Sequence, residues 1–156
     1  MSTPASTAIL TALTHLMTQW SSPRVQSQYA EAAGVNIDSG DIAIVYTLGM
    51  QGNLRSSALA DRLRLTRPTM SKQLHRLEST GLIVRRPDPE DGRASFIDLS
   101  EAGRAAYGAL VSRGIAAIET AIGDWSPDDR EHFAELARRF VTSVGVDIPD
   151  TSQKEE

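Results

Sequence analysis

Residues 66–81 read Thr66-Arg-Pro-Thr-Met-Ser-Lys-Gln-Leu-His-Arg-Leu-Glu-Ser-Thr-Gly81. Thr66 is a good N-cap, and Pro68 stands in the first turn, where a missing N–H costs no hydrogen bond. Gly81 follows as a C-terminal stop, so the stretch predicts a helix over 67–80. Met70, Leu74 and Leu77, spaced i, i+4, i+7, define its buried side. Pro68, Thr69, Ser71, Lys72, His75 and Arg76 then fall on or near the opposite side, which is small, polar and basic. Just upstream, Ser56 begins a short helix over 57–63 expected to bury Ala58, Leu59 and Leu63, with only Arg64 and Leu65 before the Thr66 cap. Two helices joined so tightly make a helix-turn-helix.

Downstream, 82–86 is a β-branched apolar run and 94–99 alternates at period two, so both read as strands. Between them lies Pro87-Asp-Pro-Glu-Asp-Gly-Arg93, stiffened by two prolines and turned by Asp91-Gly92. A hairpin following a helix-turn-helix is the wing of a winged helix.

Working outward, Ile9, Leu13, Leu16 and Trp20 give an amphipathic helix over 5–20, and Ser22-Pro23 starts a second over 24–33. Asp38 caps a core helix over 39–50 with Ile42, Val45, Tyr46 and Gly49 inward. Ser100 caps 101–123, whose apolar side is Leu110, Ile115, Ile118 and Ile122. Ser126-Pro127-Asp128-Asp129 opens a last helix with Phe133, Leu136, Phe140 and Val144 on one side. The polar segment 147–156 is expected to fray. The terminal helices carry more apolar surface than a small winged lobe can cover. Either they pack on one another within the chain or they join two chains, and their position at both chain ends favours a homodimer.

The chain has 156 residues, 40% hydrophobic and 23% charged, which fits one globular domain with appended helices. With no cysteine, disulfide scaffolds, thiolate metal sites and thiol redox sensing are excluded. His15, His75 and His132 are scattered, so no metal site is expected, and no cofactor either. No phosphate loop, Gly-x-Ser-x-Gly elbow or dinucleotide fingerprint occurs, which argues against an enzyme. The longest apolar run, 42–46, is too short to span a bilayer, and no basic residue precedes Arg24, so a cytoplasmic protein without membrane attachment is expected. Net charge is −4, yet residues 53–99 carry nine basic against six acidic side chains, and 62–76 holds five bases and no acid. Such a stripe is the footprint a phosphate backbone requires, although a charge run alone is as often a solvated helix face.

The wording Ser56-Ser-Ala-Leu-Ala-Asp-Arg-Leu, Thr66-Arg-Pro-Thr-Met-Ser, Leu77-Glu-Ser-Thr-Gly-Leu-Ile, then Asp91-Gly-Arg and Ile97-Asp-Leu-Ser, resembles the multiple antibiotic resistance regulator (MarR) family. The resemblance runs from about Ile9 to Val144 and is densest from Leu54 to Arg104. It implies a mainly α fold with a small β-wing: a helical dimerisation region from 1–36 and 101–146, a winged helix-turn-helix lobe from 37–100, and a flexible tail over 147–156. It also implies an obligate homodimer that sets two winged lobes in neighbouring major grooves, and repression controlled by a ligand.

On helix-turn-helix geometry, Pro68, Thr69 and Lys72 are expected nearest base edges, with Thr66, Ser71 and Arg76 on phosphates. Arg67, Ser56 and Arg86 complete the DNA-facing set. The resemblance assigns Arg93 to the minor groove, with Asp91 orienting its guanidinium. Gly92 stands where many relatives carry a second arginine, which makes this wing less basic. Relatives place small aromatic or phenolic acids between the dimer helices and the lobe, which makes His15, Met17, Trp20 and Tyr46 candidate effector-lining residues by position. The rival reading is a winged-helix protein-interaction module that never reads DNA. Salt separates the two, because only a duplex binder releases counterions.

Overall fold

The structure, a computed structural model, describes residues 3–91 and 95–146. The helices are α1 (Pro4–Trp20), α2 (Pro23–Ala32), α3 (Ile42–Gln51), α4 (Ser56–Leu63), α5 (Arg67–Ser79), α6 (Glu101–Ala121) and α7 (Pro127–Ser143). The strands are β1 (Leu54–Arg55), β2 (Ile83–Pro87) and β3 (Ser95–Leu99), and a single 3-10 turn, Ser39–Asp41, precedes α3. The fold is thus mainly α with a small antiparallel sheet, as expected. The chain divides into two compact units, 1–113 and 114–156, with the boundary inside α6. The fraying expected of 147–156 concerns residues outside those described. Among the described residues no helix is long and apolar enough to cross a membrane.

In the first unit the sheet has strand order β1-β3-β2. Ile83 faces Leu99 and Arg85 faces Ile97 across β2 and β3, while Leu54 faces Ile97 across β1 and β3. Ile83, Ile97 and Leu99 turn inward on Ile44, Val45, Leu48, Leu59, Met70, Leu74 and Leu77 to form one core. Burying such side chains contributes roughly 1.5–3 kcal/mol each, so the core fixes α5 against the sheet. Two close approaches tighten the unit. A Cβ at Gly103 would lie 1.9 Å from the Leu82 carbonyl oxygen, and one at Gly49 would lie 2.4 Å from the Tyr107 ring.

Several expectations shift. Ala58 is exposed, and α4 instead buries Leu59 and Ala60, the inward face lying about 100° per residue further round the helix. The helix expected over 39–50 opens as a 3-10 turn. Asp38 accepts the Gly40 N–H at 2.9 Å and caps the turn rather than α3. Strand β1 was not anticipated, since two residues carry no periodicity. The caps at Thr66 and Ser126 form as read, each hydroxyl accepting the backbone N–H three residues on.

In the second unit, which comprises the end of α6 and α7, Ile115, Ile118, Phe133, Leu136 and Phe140 are all exposed, Phe133 by 53%. Trp125 meets Phe133 edge-on at 5.3 Å. Within the first unit, α1 likewise exposes Ile9, Leu10, Leu16 and Met17.

Candidate nucleic-acid interface and cavity

The turn between α4 and α5 is set by Arg64, which adopts left-handed geometry (φ 53°) at the α4 C-cap. Its N–H returns to the Asp61 carbonyl at 3.2 Å, and the Leu65 N–H to that of Ala60 at 2.9 Å. That reversal delivers the chain to Thr66, whose Oγ1 accepts the Thr69 N–H at 3.3 Å and meets the Thr69 Oγ1 at 2.8 Å. With Met70, Leu74 and Leu77 buried, Thr66, Arg67, Pro68, Thr69, Ser71, Lys72 and His75 are exposed together over the first half of α5. The positive end of the helix dipole at this start suits phosphate oxygens. Ser56, at the start of α4, is half-buried.

Arg76, expected on phosphates, is also engaged within the protein. Its Nε donates to Asp41 Oδ2 at 2.6 Å, and its Nη2 to Asp41 Oδ1 at 2.7 Å and Asp38 Oδ1 at 3.1 Å. Asp41 is 1% exposed. A fork-on-carboxylate pair of this kind is both strong and directional, and the bond to Asp41 raises the basicity of the guanidinium further. One turn earlier, Gln73 Nε2 donates to the Gly40 carbonyl at 2.9 Å. Arg76 and Gln73 therefore tie α5 to the turn that starts α3. Sequence reading missed Asp41 and Gln73, because both partners lie over 30 residues away and leave no local pattern.

At the wing, Arg55 pairs with Asp88, which is 4% exposed, and stacks 5.6 Å over the Phe96 ring. The Glu90 N–H donates to Asp88 Oδ1 at 2.9 Å. That backbone bond first, and Arg55 second, hold the Asp88 carboxyl below its ordinary range. Arg85 Nε donates to Glu78 at 3.0 Å, and the exposed Arg86 sits 3.7 Å from Asp98. Asp91 is exposed at the end of the described stretch, and Arg93, its expected partner, lies outside the described residues.

A cavity of about 240 Å³ opens in the same unit, walled by Trp20, Val25, Gln26 and Tyr29 from the first two helices and by Ile42, Ala43 and Tyr46 from α3. Of the four candidate effector residues, Trp20 and Tyr46 line it. His15 and Met17 do not line it and are exposed on α1. Tyr29, missed in the sequence, donates to the Leu110 carbonyl, meets the Tyr46 hydroxyl at 2.9 Å and packs edge-on to Trp20 at 5.2 Å. Burial first, and the bond to Tyr29 second, push the Tyr46 phenol well above its ordinary range. It stays protonated at any physiological pH. Among the described residues no cluster of His, Asp and Glu could hold a metal ion.

Comparison with known proteins gives the same architecture. The sequence profile of the MarR family matches residues 37–95. The chain is 30% identical over 105 residues to the uncharacterized HTH-type transcriptional regulator YxaD of Bacillus subtilis, covering 67% of this chain and 73% of that protein. It is 27% identical over 101 residues to the transcriptional regulator HosA of Escherichia coli O111:H-, covering 65% of this chain and 75% of the relative. Among solved structures, wild-type MarR of E. coli in its apo form superposes with a TM-score of 0.67 at 18% identity, over 85% of this chain and 96% of that one. A probable transcriptional regulator from Pseudomonas aeruginosa superposes with a TM-score of 0.59 at 26% identity, over 82% and 96% of the two chains.

Proposed function

The chain belongs to the MarR family of DNA-binding, winged-helix transcriptional regulators, and from that premise we propose that it is a ligand-responsive repressor that binds a pseudo-palindromic operator as a homodimer. The observation that carries the reading is the exposed first half of α5. There Thr66, Arg67, Pro68, Thr69, Ser71 and Lys72 form one polar, cationic surface at a helix start, held from behind by Met70, Leu74 and Leu77. In this reading α5 enters the major groove N-terminus first. Pro68, Thr69 and Lys72 approach base edges, the Pro68 ring or Thr69 methyl packing on a thymine methyl, while Thr66, Ser71, Arg67 and Ser56 meet phosphates. Arg86 and the Asp91–Arg93 tip extend along the duplex to the minor groove.

Dimerisation follows from the apolar faces of α1, α6 and α7, whose exposed Ile, Leu and Phe side chains exceed the scattered apolar exposure of an ordinary monomer. The regions 1–36 and 101–146 form the joint in this reading, and 37–100 the reading lobe. Two recognition helices then sit about 34 Å apart to meet both half-sites. A ligand in the Trp20–Tyr46 cavity acts by favouring a different spacing, since it shifts the equilibrium only through unequal affinity for the two states.

Footprinting of the purified protein on the DNA upstream of its own gene, at low and moderate salt, tests the operator reading. Protection of two half-sites one helical turn apart, weakening steeply with salt, is expected. Binding that ignores salt and sequence would favour a winged-helix module that docks on protein.

A further inference from the structure

None of the side chains around the Trp20–Tyr46 cavity carries a charge, and the protons on its two phenols can be assigned. Tyr29 donates to the Leu110 carbonyl, which has no hydrogen to give, so the only Tyr29 hydroxyl proton points there. The Tyr46 hydroxyl, 2.9 Å from Tyr29, is then the donor of that pair. Each phenol has used its proton on the protein and offers an entering molecule only lone pairs. Gln26 Nε2 donates to the Trp20 carbonyl at 3.1 Å, which leaves one amide hydrogen and the Trp20 indole N–H as the remaining side-chain donors, both uncharged. A carboxylate placed here would shed its hydration with no cation to replace it, and would face phenol oxygens of the same sign. Size narrows the choice as well. A cavity of about 150 Å³ holds benzene, so the 240 Å³ here suits one or two fused rings.

We propose that this cavity takes an uncharged aromatic molecule of one or two rings bearing an N–H or O–H that it donates to the Tyr29–Tyr46 hydroxyl pair, and that it discriminates against aromatic acids. The inference rests on the cavity being the regulatory site described above, and it departs from the acids that the family resemblance implies. Its chemistry is that of an indole or a simple phenol.

Titration calorimetry of the full chain with indole, naphthalene and 2-naphthoate separates donor, shape and charge. Indole is expected to bind at least about tenfold more tightly than 2-naphthoate, with naphthalene between them. Tyr46→Phe narrows the gap between indole and naphthalene, and Tyr46→Phe with Tyr29→Phe closes it. Val25→Trp, which fills the cavity from α2, abolishes binding of all three. Binding of 2-naphthoate as tight as that of indole, as would occur if a second chain supplied a cation, overturns the proposal. So does an absence of indole binding, or indole binding that survives Val25→Trp. Fluorescence anisotropy of the operator complex in the same titrations keeps the two readings apart. Indole that binds as described yet leaves the complex intact upholds the ligand class and removes the cavity's regulatory role.

Discussion

Replacing Arg76 by alanine strips the buried Asp41 carboxylate of two charge-assisted hydrogen bonds, at 2.6 and 2.7 Å, and leaves the charge where water barely reaches, at 1% exposure. Breaking a fully buried pair typically costs about 3–5 kcal/mol, and an exposed one contributes ~0–1 kcal/mol. The Arg76 side chain is 36% exposed and that of Asp41 1%, so this pair lies between the limits. The expected loss is roughly 2–3 kcal/mol, by interpolation between those cases. For a chain of this size that lowers Tm by roughly 5–10 °C, measured by circular dichroism at fixed protein concentration. Asp41→Asn should cost less, because the freed guanidinium can turn to solvent. The double variant Asp41→Asn, Arg76→Ala should recover part of the Arg76→Ala loss, since no buried charge then remains. An Arg76→Ala protein with unchanged Tm, but with operator affinity reduced as much as in Lys72→Ala, would refute the clamp and restore Arg76 to the phosphate-contacting set.

Four further outcomes are expected. Lys72→Ala weakens operator binding without lowering Tm, as read by anisotropy with a labelled duplex; equal affinity for the variant and the parent rejects the assigned face. Gly103→Ala drives a methyl group to 1.9 Å from the Leu82 carbonyl and sharply lowers the yield of folded protein, whereas Gly108→Ala, with open space around it, is tolerated. Phe133→Asp together with Phe140→Asp shifts sedimentation from dimer to monomer; an unshifted boundary removes the α7 face from the dimer joint. For pH, the folded-state pKa of Asp88 is depressed, so its stabilising contribution is complete above the unfolded value of about 4 and is lost as pH falls through the lower folded value. Asp88→Asn should therefore flatten the acid limb of Tm against pH, and an identical limb in both proteins would exclude a stabilising role for the Asp88 carboxylate.

What was legible in the sequence was whatever repeats locally. Met70, Leu74 and Leu77 announce the buried side of α5, Thr66 and Ser126 announce helix starts, and the alternation before Ser100 announces β3. Contacts that close long loops leave no such pattern. Asp41 and Arg76, Arg55 and Asp88, and Tyr29 with Leu110 are each joined only by the fold, and each changes the role of a residue already noticed or reveals one overlooked. Ala58 was misplaced because neighbouring positions on a helix are about 100° apart, so a side chain next to the buried Leu59 need not share its face. His15 and Met17 lie outside the cavity that Trp20 and Tyr46 line, which no local pattern on α1 foretells.

The Arg55–Asp88 and Arg76–Asp41 pairs also bear on how a DNA-binding regulator of this kind searches a genome. Of the cationic side chains in the lobe, Arg55, Arg76, Arg85 and Arg86 each sit beside a carboxylate, leaving Arg62, Arg64, Arg67 and Lys72 without an acidic partner among the described residues. Fewer uncompensated charges mean a weaker hold on random duplex and shorter dwell times at wrong addresses, since that hold is almost wholly electrostatic. In the proposed reading, discrimination then falls more heavily on the few groups of α5 that approach base edges, and an acidic protein avoids being sequestered along the chromosome.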